Sequence, residues 1–131
     1  MNASVPQEDD IRVLFVEDDP TVAQMYKLKL ELDGYQVELA QDGELALSMA
    51  RGRPPDIVFL DIRLPKLDGL AVLEQLRQDD RTKHIPVVIL SNYSERELVE
   101  KGLKLGALEY LIKSQTTPAK LAGGVESWLK A

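Results

Sequence analysis

Short runs of branched apolar residues alternate with stretches of helical periodicity along this chain, and this alternation constrains the fold more than any other feature of the sequence. We interpret the apolar runs as five strands, at Arg12–Val16, Gln36–Ala40, Ile57–Leu60, Val87–Leu90 and Tyr110–Ile112. The first, third and fourth runs are almost wholly apolar, as in strands covered on both faces, whereas the second alternates like an edge strand. The sequence therefore predicts an α/β fold, with a five-stranded parallel sheet flanked by five helices.

Capping residues and glycines mark the predicted helices between these strands. The predicted starts are Asp19-Pro20, Asp42, Asp68-Gly69, Ser94 with Glu97 in capping-box spacing, and Thr117-Pro118. The predicted stops are Gly34, Gly52 with Pro54, and Gly106. In the first helix, the residues that we expect to form the apolar face are Val22, Met25, Leu28 and Leu32. In the third helix, the residues expected to face inward are Leu70, Leu73 and Leu76.

Composition excludes several classes of protein. The chain has 131 residues, and we expect a flexible N-terminal tail over residues 1–10 and one domain over residues 11–131. The formal net charge of -6 disfavours direct binding to nucleic acid. We see no membrane span and no signal peptide, so we expect a cytoplasmic protein. With no cysteine and one histidine, His84, any bound metal needs oxygen ligands, which favours Mg²⁺, Mn²⁺ or Ca²⁺.

Polar residues follow the predicted strands at the points where these strands end. They are Glu17-Asp18-Asp19 after the first strand, Asp61 after the third, Ser91-Asn92 after the fourth and Lys113 after the fifth. The carboxyl ends of parallel strands lie at one edge of the sheet, where ligands bind in folds of this class. Carboxylates crowded there repel one another unless a cation neutralises them, so the cluster predicts a divalent metal, with Mg²⁺ as the first choice.

Asp61 is the candidate nucleophile of this predicted site. At the end of a rigid strand its carboxylate is expected to attack phosphorus, while the metal and Lys113 bind phosphoryl oxygens and Ser91 donates a hydrogen bond to the product. The product is a mixed anhydride on the protein. More ordinary interpretations stay open, namely a helix cap for Asp19, solvated loop charges for the other acidic residues, and core positions for Tyr110 and Trp128.

Four segments resemble the receiver domain of two-component response regulators, and the resemblance extends from Ile11 to Leu129. The segments are Val-Glu-Asp-Asp at 16–19, Phe-Leu-Asp-Ile-Arg-Leu-Pro-Lys-Leu-Asp-Gly at 59–69, Ile-Leu-Ser at 89–91 and Gly-Ala-Leu-Glu-Tyr-Leu-Ile-Lys at 106–113. The resemblance implies a flavodoxin-like fold with strand order 2-1-3-4-5. It also implies a signalling switch that takes a phosphoryl group from a histidine kinase or phosphotransfer protein and acts on a downstream protein or through a phosphorylation-dependent homodimer.

The same resemblance gives each site residue a role. These roles are the acidic pair for Glu17 and Asp18, the phosphoacceptor for Asp61, the switch hydroxyl for Ser91, the switch aromatic for Tyr110 and the family's lysine for Lys113. The backbone carbonyl of Arg63 is expected to complete the shell of Mg²⁺ or Mn²⁺. The only catalysis implied is self-phosphorylation and self-dephosphorylation.

Three features depart from the family's pattern. Ser114 follows Lys113 where the family usually has proline in a cis peptide, and because a non-proline cis bond costs about 3 kcal/mol, its geometry stays open here. Asn92 is larger than the usual residue and is expected to bind phosphate or to narrow the approach to the phosphoacceptor. Arg63 and Tyr93 are expected to lie over the acyl phosphate and shield it from water.

Three other functions compete with the signalling switch. A haloacid-dehalogenase-type phosphatase needs a second aspartate two residues after its nucleophile, where this chain has Arg63. Nucleotide binding is disfavoured because the loop after the first strand is acidic and has no glycine-rich phosphate cradle. A pseudo-receiver, which binds partners without phosphorylation, is disfavoured by the acidic cluster but kept as the alternative by Ser114 and Asn92.

Overall fold

The computed structural model describes residues 11–131, so the predicted tail over residues 1–10 lies outside the described residues. Five parallel strands form one sheet in the order β2-β1-β3-β4-β5, which confirms the predicted order. The strands are β1 Arg12–Val16, β2 Gln36–Ala40, β3 Ile57–Leu60, β4 Val87–Ser91 and β5 Glu109–Ile112. The α-helices are α1 Pro20–Leu32, α2 Gly43–Gly52, α3 Gly69–Gln78, α4 Arg96–Lys104 and α5 Pro118–Leu129. No helix among these residues is long and apolar enough to cross a membrane.

Two separate apolar cores cover the two faces of the sheet. On one face, Phe15 of β1 and Phe59 of β3 pack with residues of α1 and α5, including Leu30 and Leu121. The cluster on the other face combines alternate strand residues with residues of α2, α3 and α4, including Leu14, Ile89, Leu47, Leu73 and Leu98. Because successive strand residues point to opposite faces, the central strands are apolar throughout, as the sequence predicted.

The inward face of α1 differs from the prediction. Met25, Leu28 and Leu32 are 49%, 61% and 74% exposed, while the buried residues of the helix are Ala23, Tyr26 and Leu30. The prediction was wrong because both sets recur at helical spacing, and periodicity alone cannot choose between two faces of one helix. In α3, the predicted residues Leu70, Leu73 and Leu76 are buried.

Four of the five α-helices begin with the predicted side-chain cap. The capping residues are Asp19, Asp42, Asp68 and Thr117, and each accepts a hydrogen bond from a backbone N–H of the first turn. Helix α4 is the exception, because Glu95 is its N-cap and forms no side-chain hydrogen bond. The capping box predicted for Ser94 and Glu97 is therefore wrong. The predicted stop is confirmed at Gly106, whose φ of 105° suits glycine.

A close backbone approach shapes the loop between β3 and α3. The N–H of Gly69 donates to the carbonyl of Ile62 at 2.7 Å. A Cβ atom on Gly69 would lie 2.0 Å from the carbonyl oxygen of Asp61, so a larger residue would displace the loop. The glycine thus keeps this loop directly against the end of β3.

Candidate functional site

The ends of β1 and β3 bring three carboxylates together. The backbone N–H of Asp61 donates to the carbonyl of Val16 at 3.1 Å, which aligns the two strand ends. Oxygen atoms of Glu17, Asp18 and Asp61 then lie within 4.8 Å of one another. Glu17 and Asp61 are buried, whereas Asp18 is exposed to solvent. The predicted cluster therefore forms at the carboxyl edge of the sheet.

Lys113, which follows β5, places its ammonium between two of these carboxylates. Its Nζ lies 2.8 Å from Asp61 Oδ2 and is also paired with Glu17 Oε1. Burial lowers the pKa of Lys113, but its hydrogen bonds to Asp61 and Glu17 outweigh this effect and raise the pKa above its ordinary value. The ammonium is therefore held in its charged form.

One ammonium does not balance the charge of three carboxylates. Burial raises the pKa of Glu17 above its ordinary value, although the hydrogen bond from Lys113 and another from the N–H of Asp19 act in the opposite direction. The charged form of Glu17 is thus still penalised in the folded protein. A hard divalent cation with oxygen ligands fits this donor set, because it would lower the repulsion that Lys113 leaves uncompensated.

Ser91 and Tyr110 lie on the opposite side of the same sheet edge. Ser91 is completely buried, and its Oγ accepts a hydrogen bond from the N–H of Tyr93 at 3.0 Å. The hydroxyl of Tyr110 donates to the backbone carbonyl of Tyr93. Burial raises the pKa of Tyr110, while a hydrogen bond with Ser91 acts against this rise. Both predicted switch residues therefore hold the loop between β4 and α4.

A cavity of about 510 Å³ opens between the charged cluster and the loops after β3, β4 and β5. Arg63 and Tyr93 lie in its wall, and the guanidinium carbon of Arg63 is 4.6 Å from the centroid of the Tyr93 ring. This distance is typical of a cation–π contact. Asn92 also lines the cavity and is exposed. The residues predicted to lie over the phosphoacceptor thus line the same cavity as Asp61.

The loop after β5 has its own local structure. Residues 11–131 contain no cis peptide, so the Lys113-Ser114 bond is trans. Lys113–Gln115 form a 3₁₀ turn, and Thr116 Oγ1 donates to the carbonyl of Ile112 at 2.9 Å. Ser114 and Thr116 both line the cavity.

Several cavity residues were missed by the sequence analysis. Val22, Met25 and Tyr26 of α1 line the cavity, as do the two hydroxyl residues after β5. Tyr26 forms an inward-facing set with Ala23 and Leu30 on the helix that directly follows the acidic residues. That spacing was the available signal for Tyr26, and the competing apolar set on α1 obscured it. Outside the cavity, Trp128 is buried, which agrees with the core position considered for it, and His84 is exposed.

A comparison with family models gives one match, to the response regulator receiver domain, over residues 13–123. Among curated relatives, the DNA-binding dual master transcriptional regulator RpaA of Synechocystis is 38% identical over 102 residues, covering 78% of this chain and 42% of the relative. The transcriptional regulatory protein PhoP of Bacillus subtilis, named for alkaline phosphatase synthesis, is 39% identical with the same coverage of each chain. The chain thus spans less than half the length of these relatives.

Solved structures give the same result across nearly the whole chain. The receiver domain of the Francisella response regulator 1452 matches with a TM-score of 0.83 and 33% identity, over 92% of this chain and 97% of that one. A putative response regulator from Chloroflexus aurantiacus matches with a TM-score of 0.85 and 34% identity, over 92% and 98% of the two chains. This chain therefore belongs to the response regulator receiver domain family, the phosphorylation-dependent signalling domains of two-component systems.

Proposed function

We propose that Asp61 accepts a phosphoryl group from a histidine kinase or phosphotransfer protein, in a reaction that requires Mg²⁺ or Mn²⁺. The observation that carries this proposal is the position of the Asp61 carboxylate, close to Glu17 and Asp18 and 2.8 Å from the Lys113 ammonium. A carboxylate nucleophile, a cation to bind phosphoryl oxygens and further acidic ligands are the groups that acyl phosphate formation needs.

The two carboxylate oxygens of Asp61 have different roles in the transfer. As Lys113 leaves Asp61 to bind the phosphoryl group, one carboxylate oxygen of Asp61 attacks phosphorus and the other would bind the metal. The new P–O bond forms as the P–N bond to the donor histidine breaks. The electron pair of the broken P–N bond returns to the imidazole. Lys113 then binds a phosphoryl oxygen and stabilises the negative charge that develops there.

The metal would be held by Glu17, Asp18 and Asp61, together with the backbone carbonyl of Arg63. When bound, it supplies positive charge beside the phosphoryl oxygens. One solved relative, the response regulator Rcp1, is described as Mn²⁺-bound, and it resembles this chain with a TM-score of 0.81 and 28% identity over 92% of the chain. That likeness supports binding of a divalent metal by this chain.

Phosphorylation would be read out through the loop before α4. Ser91 Oγ accepts from the N–H of Tyr93, and Tyr110 donates to the carbonyl of the same residue. When the Ser91 hydroxyl turns to donate to the phosphoryl group, its contact with Tyr93 is weakened and the loop is free to move. Helix α4 is suited to follow, because it has no side-chain cap and buries only Gly102. The altered surface would bind a downstream protein or a second receiver.

Intact-mass spectrometry after incubation with acetyl phosphate and Mg²⁺ tests this proposal. The wild-type protein should gain one phosphoryl group, and Asp61→Asn, which keeps the shape but removes the nucleophile, should gain none. Chelation of the metal should also prevent the gain. A wild-type protein that stays unmodified in the presence of Mg²⁺, with both acetyl phosphate and phosphoramidate as donors, would favour a phosphorylation-independent interaction module instead.

A further inference from the structure

The side chain of Tyr26 is buried, no hydrogen bond joins its hydroxyl to another of residues 11–131, and its oxygen is not fully enclosed by the protein. The residue is only 3% exposed, and its ring stacks on that of Phe15 with 5.1 Å between centroids and 22° between planes. A hydroxyl that has no protein partner and opens into a cavity donates to whatever occupies that cavity. Phenylalanine would make the same ring contact with Phe15, so packing alone does not account for the hydroxyl.

The unpaired hydroxyl belongs to the wall of the charged cavity. Alternation along β1 puts Glu17 on the same face of the sheet as Phe15, on which the Tyr26 ring rests. Tyr26 also lines the cavity that contains Asp61 and Lys113. Burial raises the pKa of its phenol, and the charges of Lys113 and Glu17 act on it in opposite directions. The phenol is therefore near both charged groups.

We propose that Tyr26 is a further positioning residue of this site, whose hydroxyl donates a hydrogen bond to an oxygen atom held beside Glu17 and Lys113. The acceptor is either a water molecule of the metal shell or an oxygen of the phosphoryl group. Both present a lone pair to the same donor, and the neutral phenol supplies the proton in each case. The second acceptor rests on the proposed function, whereas the first requires only that the carboxylates bind a divalent cation.

Tyr26→Phe is the decisive variant because it removes only the oxygen and keeps the ring on Phe15. Mg²⁺ affinity is measured by isothermal titration calorimetry, and the rates of phosphorylation by acetyl phosphate and of phosphate loss are measured by intact mass. A change of about three- to tenfold is expected, the size of one neutral hydrogen bond. Weaker Mg²⁺ binding identifies metal-bound water as the acceptor, and changed rates at saturating Mg²⁺ identify the phosphoryl oxygen.

Tyr35→Phe is the matched control, since Tyr35 is 6% exposed, follows the same helix and does not line this cavity. It should leave Mg²⁺ affinity and both rates unchanged. Thermal unfolding distinguishes an effect on the site from an effect on overall stability, because Tyr26→Phe should leave the melting temperature close to that of wild type. The inference is overturned if Tyr26→Phe matches wild type in affinity and rates, or if it lowers the melting temperature and affects them no more than Tyr35→Phe does. A wild-type protein that binds Mg²⁺ but is never phosphorylated instead contradicts the proposed function, and the calorimetry still tests Tyr26.

Discussion

At the carboxyl edge of the sheet, the two buried carboxylates and Lys113 lie on the face covered by α1 and α5, whereas the hydroxyls of Ser91 and Tyr110 lie on the face covered by α2, α3 and α4. Strand residues that point toward α1 and α5 occur at every second position. The same spacing places three charged residues on that face, namely Glu17, Asp61 and Lys113. Ser91 and Tyr110 continue the alternation of residues that pack on the other face. Successive residues of a strand point to opposite faces of the sheet. One edge of the sheet can therefore place the residues for phosphoryl transfer on one face and the residues that respond to it on the other.

The two faces also differ in how their polar groups are satisfied. On the charged face, Lys113 is the cation that contacts both buried carboxylates. On the neutral face, the backbone of Tyr93 pairs with Ser91 through its N–H and with Tyr110 through its carbonyl. The charged face should therefore respond strongly to loss of a charge or to a metal. The neutral face should respond mainly to movement of one loop.

Lys113→Met should give the largest effect on stability. It leaves the Glu17 and Asp61 carboxylates, whose side chains are 2% and 8% exposed, without their cation. Breaking a buried ion pair from one side costs about 3 kcal/mol. Urea denaturation at neutral pH without divalent metal should show this loss, and added Mg²⁺ should recover part of it.

Two further variants separate charge from packing in that measurement. Glu17→Gln added to Lys113→Met should restore part of the lost stability, because one uncompensated charge is removed. Lys130→Met should leave the unfolding free energy within about 0.5 kcal/mol of wild type, because Lys130 is exposed at the end of α5. Equal stability of Lys113→Met and Lys130→Met would break the comparison, since the charged face would then not depend on its ammonium.

Ser91→Ala should have a smaller effect, confined to the neutral face. It removes the acceptor for the Tyr93 N–H, which should cost about 1 kcal/mol in the unfolding free energy. Hydrogen exchange at the Tyr93 amide, followed by NMR, should become faster. Mg²⁺ affinity should match wild type within about twofold, well below the effect of one neutral hydrogen bond. A large loss of Mg²⁺ affinity in this variant would mean that the two faces are not separate.

Arg63→Ala tests the contact between the Arg63 guanidinium and the Tyr93 ring in the wall of the cavity. The stack of Arg63 on Tyr93 is of a kind that contributes about 0.5–1 kcal/mol, so its loss should shorten the lifetime of the phosphorylated protein about two- to fivefold. Tyr93→Phe keeps an aromatic face and should change the lifetime less than Tyr93→Ala. An unchanged lifetime in Arg63→Ala would show that the pair does not shield the acyl phosphate.

The charged face was largely predictable from the sequence, and the reason is geometric. Three apolar runs fix the central strands, parallel strands end at the same edge, and so the residues after each run must meet. Glu17 and Asp61 follow from that rule, and Lys113 follows from the parallel fifth strand at the edge of the sheet, all without knowledge of any side-chain contact. Tyr26 does not, because its position depends on which of two apolar sets on α1 faces the sheet.

The predicted start of α4 was wrong for a different physical reason. Ser94 and Glu97 have the spacing of a capping box, but Glu95 is the N-cap of this helix. Tyr93, two residues before this N-cap, forms hydrogen bonds with Ser91 of β4 and Tyr110 of β5. The hydrogen bond from Tyr110 is tertiary, and local sequence spacing contains no information about this constraint on the segment before α4.

Alkaline titration gives the smallest predicted effect and compares one tyrosine from each face. Burial raises the pKa of both Tyr26 and Tyr110 above the ordinary value of about 10. The folded protein therefore holds these phenolic protons more tightly than the unfolded chain does. Their contribution to stability is complete below the ordinary pKa and is lost as pH rises through the raised values.

Tyr26→Phe and Tyr110→Phe should each remove part of this alkaline loss, measured as the change in unfolding free energy between neutral pH and pH of about 11. Absorbance titration of the phenolate should show the corresponding late transitions in wild type. An alkaline loss in either variant equal to that of wild type would contradict the raised pKa of that tyrosine.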